Sequence, residues 1–146
     1  MGSDPLVMRY LGNGQVLDEH ASWRSCAALL GHWVLRGYGQ WVAEEKATGT
    51  AIGRIGIYDP DGWPGLEVGW SLAREHWGKG YATEGGAAAL RYAFDIVGVA
   101  HVVSLIQPDN AASIRVAEKL GGSVEQTVTV VGKQALVYAY SQPPRA

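Results

Sequence analysis

Cysteine is almost missing from this chain: Cys26 stands alone among 146 residues. A single thiol makes no internal disulfide, so a reducing, cytoplasmic setting is expected. An excess of either charge is missing too. Twelve Lys and Arg face 14 Asp and Glu, a formal net charge of −2. Without a basic field, nucleic acid is not expected as a partner. No apolar run approaches the roughly 20 residues of a membrane-spanning helix, so no membrane partner is expected either. The opening Met1-Gly2-Ser3-Asp4-Pro5 has neither the basic nor the apolar region of a signal peptide, and residues 1–6 read as a tag or a disordered lead. Low complexity is excluded as well. Gly and Pro together make 26 residues, about 18%, below the ~25–30% of such chains.

What is present suits one globular domain over residues 1–146. Hydrophobic residues make 47% of the chain and charged ones 18%. A chain of this length buries roughly 68–70% of its unfolded surface and needs neither a disulfide nor a structural metal. No metal is expected. Glycine is the outlier, with 20 residues, about twice the usual ~7%. The glycines fall between apolar runs, as punctuation.

Periodicity and turn residues divide the chain. Residues 7–11 hold a small apolar anchor of Val7, Met8, Tyr10 and Leu11. A helix is predicted over 18–36, with Ala21, Ala28 and Leu29 sharing one spacing and Cys26, Leu30, Trp33 and Val34 another; Gly37 ends it. Strands at 40–45 and 50–58 read as a hairpin, and 66–72 as a third strand beyond the loop Asp59-Pro60-Asp61-Gly62-Trp63-Pro64-Gly65. A helix follows over 82–97, a strand over 101–106 and a short helix over 111–120. A hairpin of 124–130 and 134–140 turns across Val131-Gly132-Lys133, and 141–146 is a frayed tail. This order predicts an α+β domain with a mixed, mostly antiparallel sheet. Its strand–helix–strand unit over 66–106 should pair the two strands in parallel with a right-handed crossover.

The run Leu66 to Leu72 empties into Trp77-Gly78-Lys79-Gly80-Tyr81-Ala82-Thr83-Glu84, a glycine-bearing loop that opens a helix. Unpaired N–H groups and the helix dipole bind anions there. Glycine lets the backbone approach a ligand. The other reading of the same loop is a plain turn with Thr83 as a cap. Neither a P-loop nor a dinucleotide fingerprint fits, because Gly78-Lys79-Gly80-Tyr81-Ala82-Thr83 lacks the required spacing.

Trp77-Gly78-Lys79-Gly80-Tyr81-Ala82 resembles the Gln/Arg-x-x-Gly-x-Gly/Ala signature of the GNAT N-acetyltransferase superfamily. Its extension through Thr83-Glu84 is similar to the branch that contains ribosomal-protein N-terminal acetyltransferases. Asn110-Ala111-Ala112-Ser113 with Glu118-Lys119-Leu120-Gly121 resembles that branch's second segment. The resemblance covers roughly residues 7–140. It implies a three-layer α/β/α fold whose splayed parallel strands bind coenzyme A. It further implies acetyl-CoA as the donor co-substrate and a primary amine, a peptide N-terminus or a small amine, as acceptor. The loop Trp77, Gly78, Lys79, Gly80, Tyr81, Ala82 and Thr83 would cradle the pyrophosphate. Trp70, Ser71 and Leu72 would pair with the pantetheine arm, and Asn110 and Ser113 would touch it from the other side. Asn110 equally suits a helix N-cap over Ser113.

Acetyl transfer needs a neutral amine, a stabilised oxyanion and a protonated thiolate. Glu67 is the candidate general base, since alternation puts Glu67, Gly69 and Ser71 on one face and Val68, Trp70 and Leu72 on the other. Its other reading is a strand-edge carboxylate paired with Arg54 or Arg74. Asp59, Asp61 and His76 are substitutes. The Leu72 N–H is the expected oxyanion donor. Ala117 stands where many relatives carry a Tyr acid, which leaves Ser113 or water for the thiolate. Gly122 replaces an aromatic after Gly121. Trp41, Trp63 and Trp70 with Asp59, Asp61 and Glu67 are candidates for an aromatic, acidic mouth, or simply for the core. Family members open with an edge strand and helix that have no counterpart here, so a homodimer covering the sheet edge is expected. A coenzyme A-binding module without turnover is the alternative, and a dinucleotide-binding fragment a distant third.

Overall fold

The structure, a computed structural model, describes residues 1–142. It begins with α1 (Pro5–Met8), a single turn that buries Val7 and Met8; the Asp4 carboxylate caps it by accepting from the Leu6 N–H at 2.9 Å. Residues 1–6, read as a tag or disordered, therefore contribute the start of this turn. The next helix, α2 (Glu19–Arg36), starts where Asp18 accepts from Ala21 N–H at 2.7 Å and stops at Gly37, whose φ of +76° closes the last turn. Both caps follow from residue type.

Six strands follow in one sheet: β1 (Gln40–Glu45), β2 (Thr50–Tyr58), β3 (Glu67–Leu72), β4 (His101–Ile106), β5 (Ser123–Val130) and β6 (Lys133–Ser141). Their spatial order is β1-β2-β3-β4-β6-β5, with β3 and β4 parallel and every other pair antiparallel. The mixed α+β sheet with a central strand–helix–strand unit is thus the one expected. Between β3 and β4 runs α3 (Tyr81–Tyr92), and α4 (Ala111–Lys119) joins β4 to β5.

One sheet face carries the larger core. Ile57, Val68, Val102 and Tyr138 pack there against Ala89, Leu90, Ala93 and Phe94 of the α3 segment and Ala117 of α4. Helix α3 lies very close to β2 and to the end of α4 because a glycine faces each. A Cβ at Gly85 would stand 2.5 Å from Ile55 Cδ1, and one at Gly86 2.8 Å from Leu120 Cδ1. The opposite face meets α2, where the His32 ring lies 4.9 Å from that of Tyr58. His32 is clamped at both nitrogens. Nδ1 lies 2.9 Å from the Tyr38 carbonyl and Nε2 accepts from the Asp59 N–H at 2.9 Å.

Several details depart from the sequence reading. The helix predicted over 82–97 is α-helical only to Tyr92, and Ala93–Val97 widens into a π-helical turn closed by Gly98 N–H on Ala93 O. The closing hairpin turns on two residues, Val131 and Gly132, both with positive φ, rather than three. The row Cys26, Leu30 and Val34 faces outward, with Val34 86% exposed. Ser141 ends β6 instead of opening a frayed tail, and residues 143–146 lie outside the described residues.

Candidate active site

Strands β3 and β4 start side by side and then separate. Val103 N–H donates to Leu66 O, and Glu67 is the one β3 residue in register with β4. One step on, the hydroxyl of Ser104 donates to Val68 O at 2.7 Å, a side chain filling in where the backbone ladder has stopped. Ala73 N–H bonds Ile52 O on β2. By the alternation of strand backbone groups, those of Trp70 and Leu72 point the other way, into the split. The Leu72 N–H, the expected oxyanion donor, thus points into the split. Its carbonyl accepts from the Trp77 indole N–H at 2.9 Å, so Trp77 ties the loop back to the strand end.

The split leads to the glycine loop. Gly78 and Gly80 have φ of +74° and +86°, and a Cβ at either would meet nothing within 4 Å. The loop is therefore bent by glycine and open above it. Gly80 caps α3, whose first internal bond is Glu84 N–H to Gly80 O, so the N–H groups of Tyr81, Ala82 and Thr83 have no helical acceptor. Lys79 is exposed beside them. These features fit a pyrophosphate, which needs free N–H donors and room at the backbone.

The loop is anchored from below. Tyr81 OH donates to Glu45 Oε1 at 2.6 Å, Thr48 donates to Glu45 Oε2 at 2.8 Å, and His76 Nδ1 lies 3.7 Å from the same carboxylate. The hydroxyl donors hold the Glu45 carboxyl below its ordinary range. The end of the first hairpin thereby fixes the first residue of α3. Tyr81→Phe is expected to raise the KM for the acyl donor about threefold to tenfold with little change in kcat, as loss of one charge-assisted hydrogen bond would give. Steady-state kinetics at varied donor concentration check this.

On the α2 face, a cleft of about 620 Å³ runs continuously from α2 and the β2–β3 loop to the glycine loop. Glu67 lines it. Its Oε2 accepts from the Trp63 indole N–H at 2.7 Å and its Oε1 lies 3.4 Å from the Leu105 N–H. No cation stands within 4 Å of it among the described residues, so the pairing with Arg54 or Arg74 is not formed; Arg74 reaches Asp4 instead. Burial lifts the Glu67 carboxyl from 4.5 to about 7, against the pull of the Trp63 and Leu105 N–H groups and of Arg54. Gly69 lies beside it, where a Cβ would touch Gln40 Nε2 at 3.4 Å and Glu67 Oε1 at 3.8 Å. Alternation along β3 is as expected. Ser71 and Glu67 share the cleft face, while Val68, Trp70 and Leu72 join the packed face.

Asn110 caps α4, its Oδ1 accepting from Ser113 N–H at 3.2 Å, and the Ser113 hydroxyl accepts from the Trp70 indole at 3.2 Å. Both line the cleft near the split. The proposed aromatic, acidic mouth divides. Only Trp63 bonds Glu67; Trp41 packs edge-on against Tyr92 of α3, and Trp70, on the other sheet face, packs on the core and lines the cleft at the split, its indole on Ser113. Asp59 accepts from Tyr38 OH at 3.3 Å, and neither it nor Asp61 lines the cleft. His76 does, its Nδ1 buried. Gly122 has a packing reason, since a Cβ there would stand 2.6 Å from the Tyr140 ring. Sequence reasoning missed Gln40, Tyr58 and Arg54 as cleft residues, because only the β1–β2–β3 register brings them beside Glu67.

Comparison with known proteins agrees with this arrangement. The acetyltransferase (GNAT) domain model matches residues 1–123. The Bacillus subtilis (strain 168) protein YkkB is 41% identical over 93% of this chain and 79% of its own length. The N-acetyltransferase p20 of Bacillus licheniformis is 27% identical over 95% of this chain and 81% of its own. A crystal structure of an acetyltransferase from Agrobacterium tumefaciens str. C58 superposes with a TM-score of 0.80 at 32% identity, covering 94% of this chain and 82% of that one. With a family model spanning most of the sequence and a close relative along nearly all of it, the chain belongs to the GNAT acetyltransferase family and is an acyltransferase.

Proposed function

We propose that the protein transfers an acetyl group from acetyl-CoA to a primary amine, a peptide N-terminus or a small amine, by direct attack. One observation carries this reading: a half-buried carboxylate, lifted to about 7, lines a cleft continuous with a strand split and an open glycine loop. Acetyl-CoA supplies the activated thioester. The residues Trp77 to Thr83 hold its pyrophosphate through backbone N–H groups. Trp70 and Leu72, whose backbone groups face the split, border the pantetheine arm on one side, and Asn110 and Ser113 border it on the other.

Glu67 takes the proton of the incoming ammonium, directly or through one water, and Trp63 holds the carboxylate in place while it does so. A base near the working pH has the best balance of ionised fraction and proton affinity. The Leu72 N–H faces the oxyanion that develops on the acyl oxygen. Ser113 accepts from Trp70, so its own O–H is free to pass a proton to the thiolate while taking up the proton that the acylated nitrogen sheds.

The test is a panel of primary amines, read both by coenzyme A thiol release and by mass spectrometry of the amine. Equal amounts of free thiol and N-acetylated amine are expected. Coenzyme A binding without turnover of any amine would make the protein a binding module instead.

A homodimer goes with this reading. Strand β1 is one edge of the sheet, with Val42 72% exposed, and α2 presents Trp23, Leu30 and Val34 to solvent. Uncovered edges and apolar surfaces of this kind are commonly buried by self-association. Sedimentation at micromolar concentration is expected to give the dimer mass; a monomer there contradicts it.

A further inference from the structure

The cleft holds a cation that the transfer chemistry above does not use. Arg54 extends from β2 on the same sheet face as Glu67, directly across from Ser71 of β3. Among the described residues its one hydrogen bond runs to Gln40 Oε1, a neutral oxygen, and no carboxylate lies within 4 Å. A guanidinium carries five N–H donors, so most of its capacity is unspent. Its surroundings are desolvating, and burial pushes the group below its ordinary range.

A second observation stands beside it. The Ser71 hydroxyl is buried, with 7% of the residue exposed, and makes no hydrogen bond. Buried polar groups in native proteins are nearly always paired, and an orphan in a cleft marks a place for a ligand atom. An under-compensated cation and an unpaired hydroxyl, neighbours across two strands, ask for the same thing. Both donate, and an anionic oxygen accepts. Arg54 is suited to a planar carboxylate, which its fork engages through two parallel hydrogen bonds.

We propose that the acceptor is an amino carboxylate, an α-amino acid or small analogue, whose carboxylate is bound by Arg54 and Ser71 while its amine faces Glu67. This rests on the assignment of the cleft as the acceptor site. Arg54 and Ser71 act as specificity-determining residues; Gly69, which has no side chain, lies between Ser71 and the base along β3. The competing role for Arg54 is only to moderate the charge of Glu67. That role would change the rate for every amine alike and would leave the preference between amines untouched.

The experiment compares L-α-amino acids with their own carboxamides, each rate corrected for the fraction of free amine. For at least one side chain, wild type should favour the acid by tenfold or more in kcat/KM, mainly through KM. Arg54→Met should bring that ratio to within about twofold of unity and Arg54→Lys should restore part of it. Ser71→Ala, which creates no buried charge, should lower the ratio by threefold or more. Carboxamides used as well as acids, or a ratio unmoved by both variants, overturn the proposal.

A binding arm works without turnover. N-acetyl amino acids should bind the coenzyme A-loaded protein at least tenfold tighter than N-acetyl amino acid amides by calorimetry, and equal binding overturns the proposal. Acetylation of other amines alone would also overturn it while leaving amine acetyl transfer intact. A chain that turns over no amine yet prefers the acid ligand would instead remove the transferase reading and keep the carboxylate site.

Discussion

Replacing Glu67 with Gln should lower kcat by roughly 10²–10³-fold, the usual worth of a positioned general base, while leaving the affinity for coenzyme A within a factor of two. The amide keeps an oxygen for the Trp63 indole, 2.7 Å away, so the cleft wall is preserved and only proton acceptance is lost. The same variant should be more stable. Folding raises the Glu67 carboxyl from 4.5 to about 7, so the folded protein disfavours the ionised form. The contribution of this group to stability is fully present below about pH 4.5 and is lost as the pH climbs through about 7. Gln cannot ionise and escapes that loss. Denaturant melts should show wild type and variant converging near pH 4, and the variant ahead by up to about 3 kcal/mol at pH 8. A variant less active and also less stable at pH 8 would mark Glu67 as a structural carboxylate. Activity lost while stability rises is the signature of a group kept for its chemistry.

The second large effect is expected at Gly80. Its φ of +86° lies in the left-handed region, and the space above it is empty. A β-branched residue there costs about 1–3 kcal/mol of backbone strain, and its side chain enters the room assigned to the pyrophosphate. The loop holds this φ with Tyr81 and Trp77 tied down on either side, so the strain is a cost to folding and the intruding side chain a cost to binding. Gly80→Val should raise the dissociation constant for acetyl-CoA about 10–100-fold and lower stability by about 1–3 kcal/mol. Gly37→Val is the control. Gly37 has a similar φ of +76° but ends α2, away from the cleft. It should lower stability by about 1–3 kcal/mol and leave coenzyme A binding unchanged. Equal effects of both variants on binding would remove the special role of the loop.

How far the sequence alone could be read depends on whether a feature is local. Strands 40–45, 50–58 and 101–106 were legible to the residue, because Gly and Pro bracket runs of β-type residues. The parallel pairing of β3 and β4 followed from the helix between them. Glu67 was legible through simple alternation along one strand. Features that depend on register were not. Arg54 and Ser71 are 17 positions apart and become partners only once β2 and β3 are aligned. Trp41, Trp63 and Trp70 look alike in sequence, yet the sheet sends Trp41 to the packed face, Trp63 to Glu67 and Trp70 to the split beside Ser113. The outward row on α2 was invisible for a related reason. Cys26, Leu30 and Val34 have perfect helical spacing, but what covers a helix face is decided by neighbours outside the helix.

Local chemistry also has two valid readings at several positions, and the structure allows both at once. Asn110 caps α4 and lines the cleft; Trp77 opens the loop and ties it to Leu72. Gly122, which looked like a lost packing residue, makes room for the ring of Tyr140, whose hydroxyl donates to Ser104 at 3.1 Å. Ser104 in turn donates to Val68 O where the strands part. A change of one side chain near the chain's second motif thus connects, through Tyr140 and Ser104, to the edge of the split.

The central claim is that Glu67, held in its desolvated cleft, accepts the proton of the attacking amine. The most direct measurement is the pH dependence of kcat/KM for an active amine, taken on wild type and on Glu67→Gln and corrected for ionisation of the amine itself. The account predicts an ascending limb in wild type with an apparent pKa near 7, matching the value to which burial lifts the carboxyl, and no such limb in the variant. The same limb in both proteins would contradict it.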